Sequence, residues 1–292
     1  MEQKSSQIIT ISHPEWQNNT NSEEYIKALE SGKVLHFTNL KFPLSGPELK
    51  LFTPNIRDPK SRNISLNIKG ELKGAVGDEA TLALLTAMIK RFSNNAKELI
   101  YSYFPNYQEH LILAPTSFRP SNVENRKQSW RGDDKRLHVD AFPSRPNNGT
   151  RILRVFINLN PDNIPRVWRV GEPFLQTAQR FLNEIKPYSP FKAKLLNLFG
   201  ITKSLRSEYD HIMLGLHDAM KKNLEYQKTC SQITIPFPTG SVWVCFSDQT
   251  AHAAMSGQYM MEQTFHLPYD KQYDLNSSPI AILKKATGRE LI

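Results

Sequence analysis

Two side chains that lie close together in the sequence, His138 and Asp140, have the chemistry to bind a divalent metal ion. They belong to the segment Arg136–Pro143. Side chains two residues apart on a β-strand point to the same face, so the imidazole and the carboxylate would converge on one point. Two ligands hold a metal poorly, and the candidate for a third is His252, which follows a strand-like run from Ser241 to Phe246. Two histidines and one carboxylate on one face leave the other metal positions open, as in non-haem Fe(II) sites.

A His-x-Asp tripeptide is weak evidence by itself. The chain contains 8 histidines, so such a pair arises by chance, and an ordinary surface strand is the alternative interpretation. The neighbouring pattern favours the metal site, because an apolar strand, Ile152–Leu159, follows the pair and a strand introduced by Gly240 precedes His252. This order is typical of a double-stranded β-helix, whose metal ligands lie near the mouth of a small barrel.

The composition is that of a folded protein: the 292 residues are 39% hydrophobic and 22% charged. No apolar run approaches the length of a transmembrane helix, and the first residues lack the apolar core of a signal peptide. Cys230 and Cys245 form neither a metal-binding spacing nor a disulfide framework. We therefore expect a reducing, cytoplasmic environment, which also suits an Fe(II) site.

The net charge of +9 predicts anionic partners. Residues 119–136 form a basic cluster that runs directly into the His-x-Asp pair. The alternative is an ordinary solvated loop with local counter-charges. The cluster contains six basic and three acidic residues: Arg119, Arg126, Lys127, Arg131, Lys135 and Arg136, with Glu124, Asp133 and Asp134.

Hydrophobic periodicity predicts a single α+β domain over residues 1–292 with a double-stranded β-helix core, that is, a jelly-roll or cupin-like fold with packed helices. Residues 1–110 are predicted to be mainly helical, with a short helix over Ser22–Glu30 and a helix pair within Asp78–Tyr103. Residues 111–171 and 229–268 carry the strands of the core. Residues 172–228 are predicted to be a helical insertion, whose last helix covers Ser204–Tyr226.

Oxygenases with this kind of site usually bind 2-oxoglutarate through its keto-acid end, and an arginine pairs with the far carboxylate. That cation often follows the distal histidine, yet no arginine or lysine lies between His252 and Lys271. Arg154 is the alternative, because it shares a strand face with Asn158, which needs a polar site, and both are candidate cofactor-binding residues. A rim position for Arg154, paired with an acid, is the other interpretation.

Several longer stretches resemble the bacterial 3-deoxy-D-manno-octulosonic acid (Kdo) 3-hydroxylase family, and together they span nearly the whole chain. This resemblance is more specific than the His-x-Asp pair alone. The matching stretches are Lys60–Ser65, Thr116–Pro120, Ser129–Pro143, Arg151–Phe156, Arg166–Phe174, Thr202–Asp218 and Glu262–Phe265.

The resemblance implies a dioxygenase dependent on Fe(II), 2-oxoglutarate and O2, with ascorbate as a supporting reductant. It places the metal triad on His138, Asp140 and His252. It also implies hydroxylation of C3 of Kdo attached to lipid A, which yields Ko, with Arg154 as the cosubstrate clamp and Arg119 adding to it.

Kdo carries a carboxylate and lipid A carries phosphates, so basic side chains are expected around the substrate. The candidates are Arg131, Arg136, Lys203 and Arg206; solvent-exposed charge near a helix start is the alternative for the last two. A basic protein without an anchor is expected to dock peripherally on the cytoplasmic face of the inner membrane, where lipid A is embedded.

Two other functions are consistent with the sequence. The fold does not fix the substrate, so an oxygenase of the same fold acting on a different anionic substrate is one of them. The other is a non-catalytic basic protein that binds lipopolysaccharide or nucleic acid. Nucleic acid is not expected, because exposed aromatics interleaved with basic residues are scarce, Trp130 beside Arg131 being the one example.

Overall fold

The structure is a computed structural model that describes residues 7–17, 23–124 and 128–292. Within those residues the strands are β1 (Ile8–Ile11), β2 (Val34–Phe37), β3 (Ile64–Leu66), β4 (Leu72–Lys73), β5 (Ile112–Leu113), β6 (Thr116–Arg119), β7 (Arg151–Asn158), β8 (Arg166–Val170), β9 (Ile233–Phe237), β10 (Val242–Phe246), β11 (His252–Ser256) and β12 (Met260–Leu267). The α-helices are α1 (Glu23–Glu30), α2 (Gly46–Leu49), α3 (Glu79–Tyr103), α4 (Phe174–Phe181), α5 (Pro190–Leu198), α6 (Glu208–Lys222), α7 (Leu224–Thr229) and α8 (Pro279–Thr287).

These strands form two facing sheets. In the described chain the larger sheet has the order β1-β2-β10-β7-β12-β6-β3-β4, with β5 paired to β12, and the smaller sheet has the order β11-β8-β9. Trp168 of the smaller sheet packs on Phe156 and Trp243 of the larger one, with ring centroids 4.9 and 5.4 Å apart. An aromatic core therefore fills the space between the sheets. The predicted α+β class and jelly-roll core are confirmed.

The outer face of the larger sheet packs on α3. Alternate residues of β7, Leu153, Val155 and Ile157, lie in that core, so the side chains between them point towards the smaller sheet. The predicted helix pair is wrong, because α3 is one helix of 25 residues. Its apolar spacing is interrupted by polar residues such as Ser93, whose hydroxyl donates to Gln263 Oε1 at 2.8 Å. The interruption is therefore a polar contact to the sheet rather than a break in the helix.

The N-terminal part combines α1 to α3 with strands β1 to β4 of the larger sheet. Strand β2 is buried along its whole length. The predicted short helix corresponds to α1, although its capping residue, Ser22, lies outside the described residues. None of the described helices combines the length and hydrophobicity that crossing a bilayer requires.

Helices α4 to α7 lie between β8 and β9 along the chain. The predicted helix Ser204–Tyr226 is in fact two helices. Ser207 starts α6 through a capping box with Asp210, and Asn223 ends it. The Asn223 side chain accepts a hydrogen bond from Tyr226 N at 2.8 Å and so caps α7.

The segment that carries His138 and Asp140 is not the predicted strand. His138 forms a single β-bridge with His252. The backbone groups of the neighbouring residue, Leu137, bind the side chain of Gln227 on α7 rather than another strand. The Gln227 side chain accepts from Leu137 N at 2.7 Å and donates to Leu137 O at 3.0 Å. Leu137 and Val139 are buried against the helices, so the side chains of His138 and Asp140 still share the opposite side.

The loop that leads into β11 is fixed by a buried arginine. Arg151 is fully buried and donates from Nε to Asp248 Oδ2 at 2.7 Å and from Nη2 to Gln249 Oε1 at 2.6 Å. Its guanidinium also lies 3.9 Å from the centroid of the Phe246 ring. Since this loop directly precedes His252, the Arg151–Asp248 pair helps to place that imidazole.

We expect Arg151→Met to lower the free energy of unfolding by about 3–5 kcal/mol, because it leaves the Asp248 carboxylate buried without its charge partner. Urea denaturation of wild type and variant measures this difference. Arg145→Met is the matched control, since Arg145 is exposed and surface changes cost no more than about 0.5 kcal/mol. Equal unfolding midpoints for Arg151→Met and wild type would show that the pair does not stabilise the loop.

Candidate active site

The structure brings His138, Asp140 and His252 together. One ligand atom from each of the three lies within 4.8 Å of the others, and His138 Nε2 is 3.6 Å from Asp140 Oδ1. His252 is far from Asp140 in the sequence but is brought to it by backbone pairing with His138. The N–H and C=O groups of His138 and His252 exchange hydrogen bonds of 3.1 and 2.9 Å. The described residues contain no other group of three potential metal ligands.

Both imidazoles are oriented as metal ligands. His138 Nδ1 lies 2.7 Å from Arg136 O, and His252 Nδ1 lies 2.9 Å from Thr250 O. A carbonyl oxygen only accepts, so in each neutral imidazole Nδ1 carries the hydrogen and Nε2 keeps its lone pair. Burial, assisted by the neighbouring His138, lowers the pKa of His252 to about 4. The His252 imidazole is therefore neutral at pH 7 and able to bind a cation.

The third ligand is held as a carboxylate. Burial alone would raise the pKa of Asp140, but the Arg154 guanidinium and the two histidines outweigh it and hold the pKa well below its ordinary value. Asp140 Oδ2 is buried and lies 3.1 Å from Arg154 Nη2, but no contact to it within the described chain has hydrogen-bond geometry. Two unprotonated imidazole nitrogens and a carboxylate with spare acceptor capacity fit an Fe(II) ion with open positions.

A cavity of about 570 Å³ opens onto these three residues. Trp168 forms part of its wall and stacks on the His252 ring, with centroids 5.1 Å apart and planes at 21°. The stacking fixes the ring orientation. The cavity is lined by basic side chains, Arg62, Arg119, Arg131, Arg154, Arg166 and Lys221, and by acidic ones, Asp134, Asp140, Asp218 and Glu262.

Four charged groups, of which Glu262 is buried and the others are partly buried, form one cluster at the metal site. Arg154 Nη2 lies 3.1 Å from Asp140 Oδ2, and Arg154 Nη1 lies 3.4 Å from Glu262 Oε1. Arg119 Nη2 donates to Glu262 Oε2 at 2.5 Å. Burial would raise the pKa of Glu262, but the two arginines lower it below its ordinary value. Glu262 is thus ionised and holds both arginines beside the cavity.

The structure places only two of the three predicted cofactor-binding residues at the cavity. Arg154 and Arg119 both line the cavity. The structure does not bring Asn158 there, because its amide donates to Ile164 O and Phe237 O, both at 3.0 Å, and its side chain is buried. The polar site that Asn158 requires is therefore supplied by backbone carbonyls.

Of the four substrate candidates, Arg131 alone lines the cavity, where its Nε donates to Asp218 Oδ2 at 3.0 Å. Arg136 lies behind the cavity and donates to Lys221 O at 2.8 Å. Lys203 is exposed outside it. Arg206 lines a neighbouring groove and donates to Pro143 O at 2.5 Å. Within the predicted basic cluster, Arg126 and Lys127 lie outside the described residues.

Glu262, His217 and Lys221 are among the cavity residues that the sequence did not single out. Glu262 was named only within the matching stretch Glu262–Phe265, with no role assigned, and its role depends on β12 lying between β6 and β7. His217 and Lys221 lie one turn apart on α6, and the His217 ring is 5.4 Å from the His138 ring. Helical spacing of His217 and Lys221 is a signal that the sequence did carry.

Lys221 is the cavity cation that stands out by its surroundings. Its side chain is buried, and its ammonium donates to Arg131 O at 2.8 Å. No carboxylate in the described chain forms an ion pair with it. Burial lowers the pKa of Lys221, while Asp134 and Asp140 act in the opposite direction. The ammonium therefore has unused capacity for an anionic ligand.

The fold and this site define a non-haem Fe(II)- and 2-oxoglutarate-dependent dioxygenase, and comparison with known proteins gives the family. A family model described as 3-deoxy-D-manno-oct-2-ulosonic acid (Kdo) hydroxylase matches residues 13–290. The chain belongs to the Kdo hydroxylase family. The family prediction, with its iron and 2-oxoglutarate cofactors, is confirmed.

Solved structures of the Kdo hydroxylase KdoO agree with this assignment. An apo form and a complex with 2-oxoglutarate and Fe(III) are each 44% identical to this chain, with a TM-score of 0.93 over 98% of this chain and 97% of theirs. A cobalt(II) complex has a TM-score of 0.94 at the same identity, over 98% of both chains. No match was found among curated protein sequences.

We expect Asp140→Ala and His252→Ala each to weaken Co(II) binding about 100-fold or more, because each removes one of three protein ligands. Calorimetric titration of the metal-free protein with Co(II), a stand-in for Fe(II), measures the affinity. His110→Ala is the control, since His110 lies outside the cavity lining. Wild-type Co(II) affinity in the folded Asp140→Ala protein would remove Asp140 from the ligand set.

Proposed function

We propose that this chain hydroxylates C3 of Kdo attached to lipid A, which gives Ko, while 2-oxoglutarate is converted to succinate and CO2. The observation that carries the proposal is the His138–Asp140–His252 group at the base of a cavity lined by basic side chains. The family and the full-length similarity to KdoO support the choice of a Kdo-containing substrate.

In this proposal the three ligands hold Fe(II), which supplies O2 activation and the oxidative decarboxylation of 2-oxoglutarate. The protein contributes a fixed ligand set: Nδ1 of each histidine is tied to a backbone carbonyl, and Asp140 is kept ionised by Arg154. Trp168 and the aromatic core behind it exclude water from one side of the site.

Arg154, with Arg119 beside it, is proposed to receive the far carboxylate of 2-oxoglutarate. Both guanidiniums are held at the cavity by Glu262, and the Nε atom of each is buried without an acceptor in the described chain. A buried N–H without a partner is costly, and a carboxylate would satisfy it. Asn158 keeps the neighbouring strand end in place through its backbone contacts and is proposed to act only indirectly.

The sugar acid is proposed to bind between α6 and the metal site. Its carboxylate would be received by Lys221, whose ammonium has no carboxylate partner in the described chain, and by Arg131 at the rim. His217 offers an imidazole for a sugar hydroxyl near His138. Arg206 and Lys203, outside the cavity, are placed to meet the more distant phosphates. Arg136 is proposed to hold Lys221 in place by donating a hydrogen bond to the backbone carbonyl oxygen of Lys221.

Peripheral contact with an anionic membrane from the cytoplasmic side belongs to this proposal, because the lipid chains of the substrate are embedded in a bilayer. The net charge of +9 favours such contact. A different anionic substrate is the competing function, and product analysis distinguishes the two.

With Kdo-lipid A, Fe(II), 2-oxoglutarate and isotopically heavy O2, we expect one heavy oxygen atom in the Kdo sugar, at C3, for each succinate formed. The reason is that hydroxylation inserts one atom of O2 into each product. Mass spectrometry of the released sugar and quantification of succinate measure the ratio. Consumption of 2-oxoglutarate without oxygen in the sugar would point to a different substrate.

We expect Arg154→Lys to raise the KM for 2-oxoglutarate about tenfold, because lysine keeps the charge but loses the planar pair of donors. The KM for Kdo-lipid A should change less than about twofold. Steady-state kinetics with each substrate varied in turn measure both constants. Arg145→Lys is the control, because Arg145 is exposed. An Arg154→Ala protein with wild-type dependence on 2-oxoglutarate would move the clamp to Arg119.

A further inference from the structure

Residues 185–207, which include α5 and are called the α5 segment below, combine exposed apolar side chains with one sign of charge. The segment contains five basic residues and no acidic one: Lys186, Lys192, Lys194, Lys203 and Arg206. Six large apolar side chains in it are exposed, namely Phe191, Leu195, Leu198, Phe199, Ile201 and Leu205, with Phe191, Leu198 and Phe199 each more than 70% exposed.

Helix α5 packs on the rest of the molecule through one narrow side only. Ala193 is its one buried residue. Phe191, Leu195 and Leu198 follow the i, i+4, i+7 spacing that places side chains on one face of a helix, and all three are exposed. Short helices depend on burial of their apolar face, and a contiguous exposed apolar patch marks an interaction surface. This face is therefore shaped for an apolar partner.

The surrounding charge specifies the chemistry of that partner. Lys192 and Lys194 lie on either side of the helix face formed by Phe191, Leu195 and Leu198. Residues 185–207 contain no carboxylate side chain that could neutralise these lysines. An apolar helix face flanked by lysines suits the boundary between the acyl chains and the anionic head groups of a bilayer. A protein partner would need a specific surface with an apolar centre and an acidic rim. Any anionic bilayer offers both, since its acyl chains are apolar and its head groups are negatively charged.

The α5 segment adjoins the active-site cavity. Lys203 N donates to Ser144 O at 2.9 Å, and Arg206 binds the carbonyl oxygen of Pro143. A groove of about 650 Å³ is lined by Lys192, Ala193 and Arg206 of the segment. The same groove shares Arg131, Leu214 and Asp218 with the lining of the cavity that holds the metal ligands. The groove lies on the side of α5 that carries Ala193, opposite its exposed apolar face, and it adjoins the cavity that holds the metal ligands.

We propose that the α5 segment is an interfacial membrane element. The apolar face of α5 inserts between the acyl chains of an anionic phospholipid bilayer, and its lysines contact the head groups. The groove then admits the sugar head group of a membrane-embedded glycolipid to the metal site. The identity of that head group rests on the proposed function, whereas the place of the membrane contact is argued from the exposed face and the charge of the α5 segment.

The test is sedimentation with vesicles of phosphatidylethanolamine and phosphatidylglycerol that contain no lipid A. We expect Phe191→Ser/Leu198→Ser/Phe199→Ser to lower the partition coefficient about tenfold or more, because the inserted area is lost. The matched control is Ile68→Ser/Ile164→Ser/Leu275→Ser, which changes three exposed aliphatic side chains elsewhere and should bind as the wild type does. Circular dichroism checks that both triple variants remain folded.

A second variant keeps the apolar face intact. Lys192→Glu/Lys194→Glu should bind phosphatidylglycerol vesicles about tenfold less tightly, and raised salt should weaken the wild type towards the same level. Wild-type binding by both the triple serine and the double glutamate variants would overturn the proposal. So would a wild-type dimer that dissociates in the triple serine variant and shows no vesicle binding, because the face would then join two copies of the chain.

Turnover separates this proposal from the proposed function. The triple serine variant should lose about tenfold in activity on Kdo-lipid A embedded in vesicles, while its activity on a water-soluble Kdo glycoside that the wild type accepts should stay unchanged. If wild type turns over neither compound, the proposed substrate is wrong, and vesicle binding still decides the role of the α5 segment. Equal loss on both compounds would show that the variant damages the site and would contradict an interfacial role.

Discussion

The site depends on the balance of four charges that are nearly removed from water. Asp140 and Glu262 alternate with Arg154 and Arg119, so each carboxylate has a guanidinium neighbour. Removing one member would leave a buried charge uncompensated, which costs about 3–5 kcal/mol. Three neighbouring strands supply three of the four groups, Arg119 from β6, Glu262 from β12 and Arg154 from β7, and Asp140 comes from the segment that carries His138. The register of the large sheet thus fixes the charge state of Asp140, a proposed metal ligand. A metal dication and a dicarboxylate cosubstrate would enter together without changing the net charge.

The helical insertion and the metal site are mechanically connected. Gln227 of α7 ties down the backbone at Leu137, next to His138, and α6 presents His217 and Lys221 to the cavity. The same insertion carries the α5 segment, whose apolar face lies exposed on the side of α5 away from the groove. One part of the chain therefore holds a metal ligand, lines the substrate cavity and presents the proposed membrane surface. This arrangement accounts for helices inserted between two strands of a jelly-roll rather than packed on its outer face alone.

The sequence predicted what local patterns encode. Alternation in β7 correctly turned Arg154 towards the interior, and apolar spacing located most helices. It failed where a distant partner decides the outcome. The His138 segment is held by Gln227 instead of a strand ladder, and the polar need of Asn158 is met by carbonyls from other elements. Glu262 remained unnoticed because its two arginines come from strands far away in the chain. The sequence predicted helices in residues 172–228 but not the exposed apolar face of α5, since periodicity does not show which face of a helix remains uncovered.

The central claim is that this site holds Fe(II) through three protein ligands and leaves adjacent positions for a keto acid. Anaerobic addition of 2-oxoglutarate to the Fe(II)-loaded protein tests it most directly by visible absorption. The account predicts a metal-to-ligand charge-transfer band that grows to saturation with 2-oxoglutarate and does not form with succinate, which lacks the keto group. The absence of a band at saturating 2-oxoglutarate, or an equal response to succinate, would contradict the account.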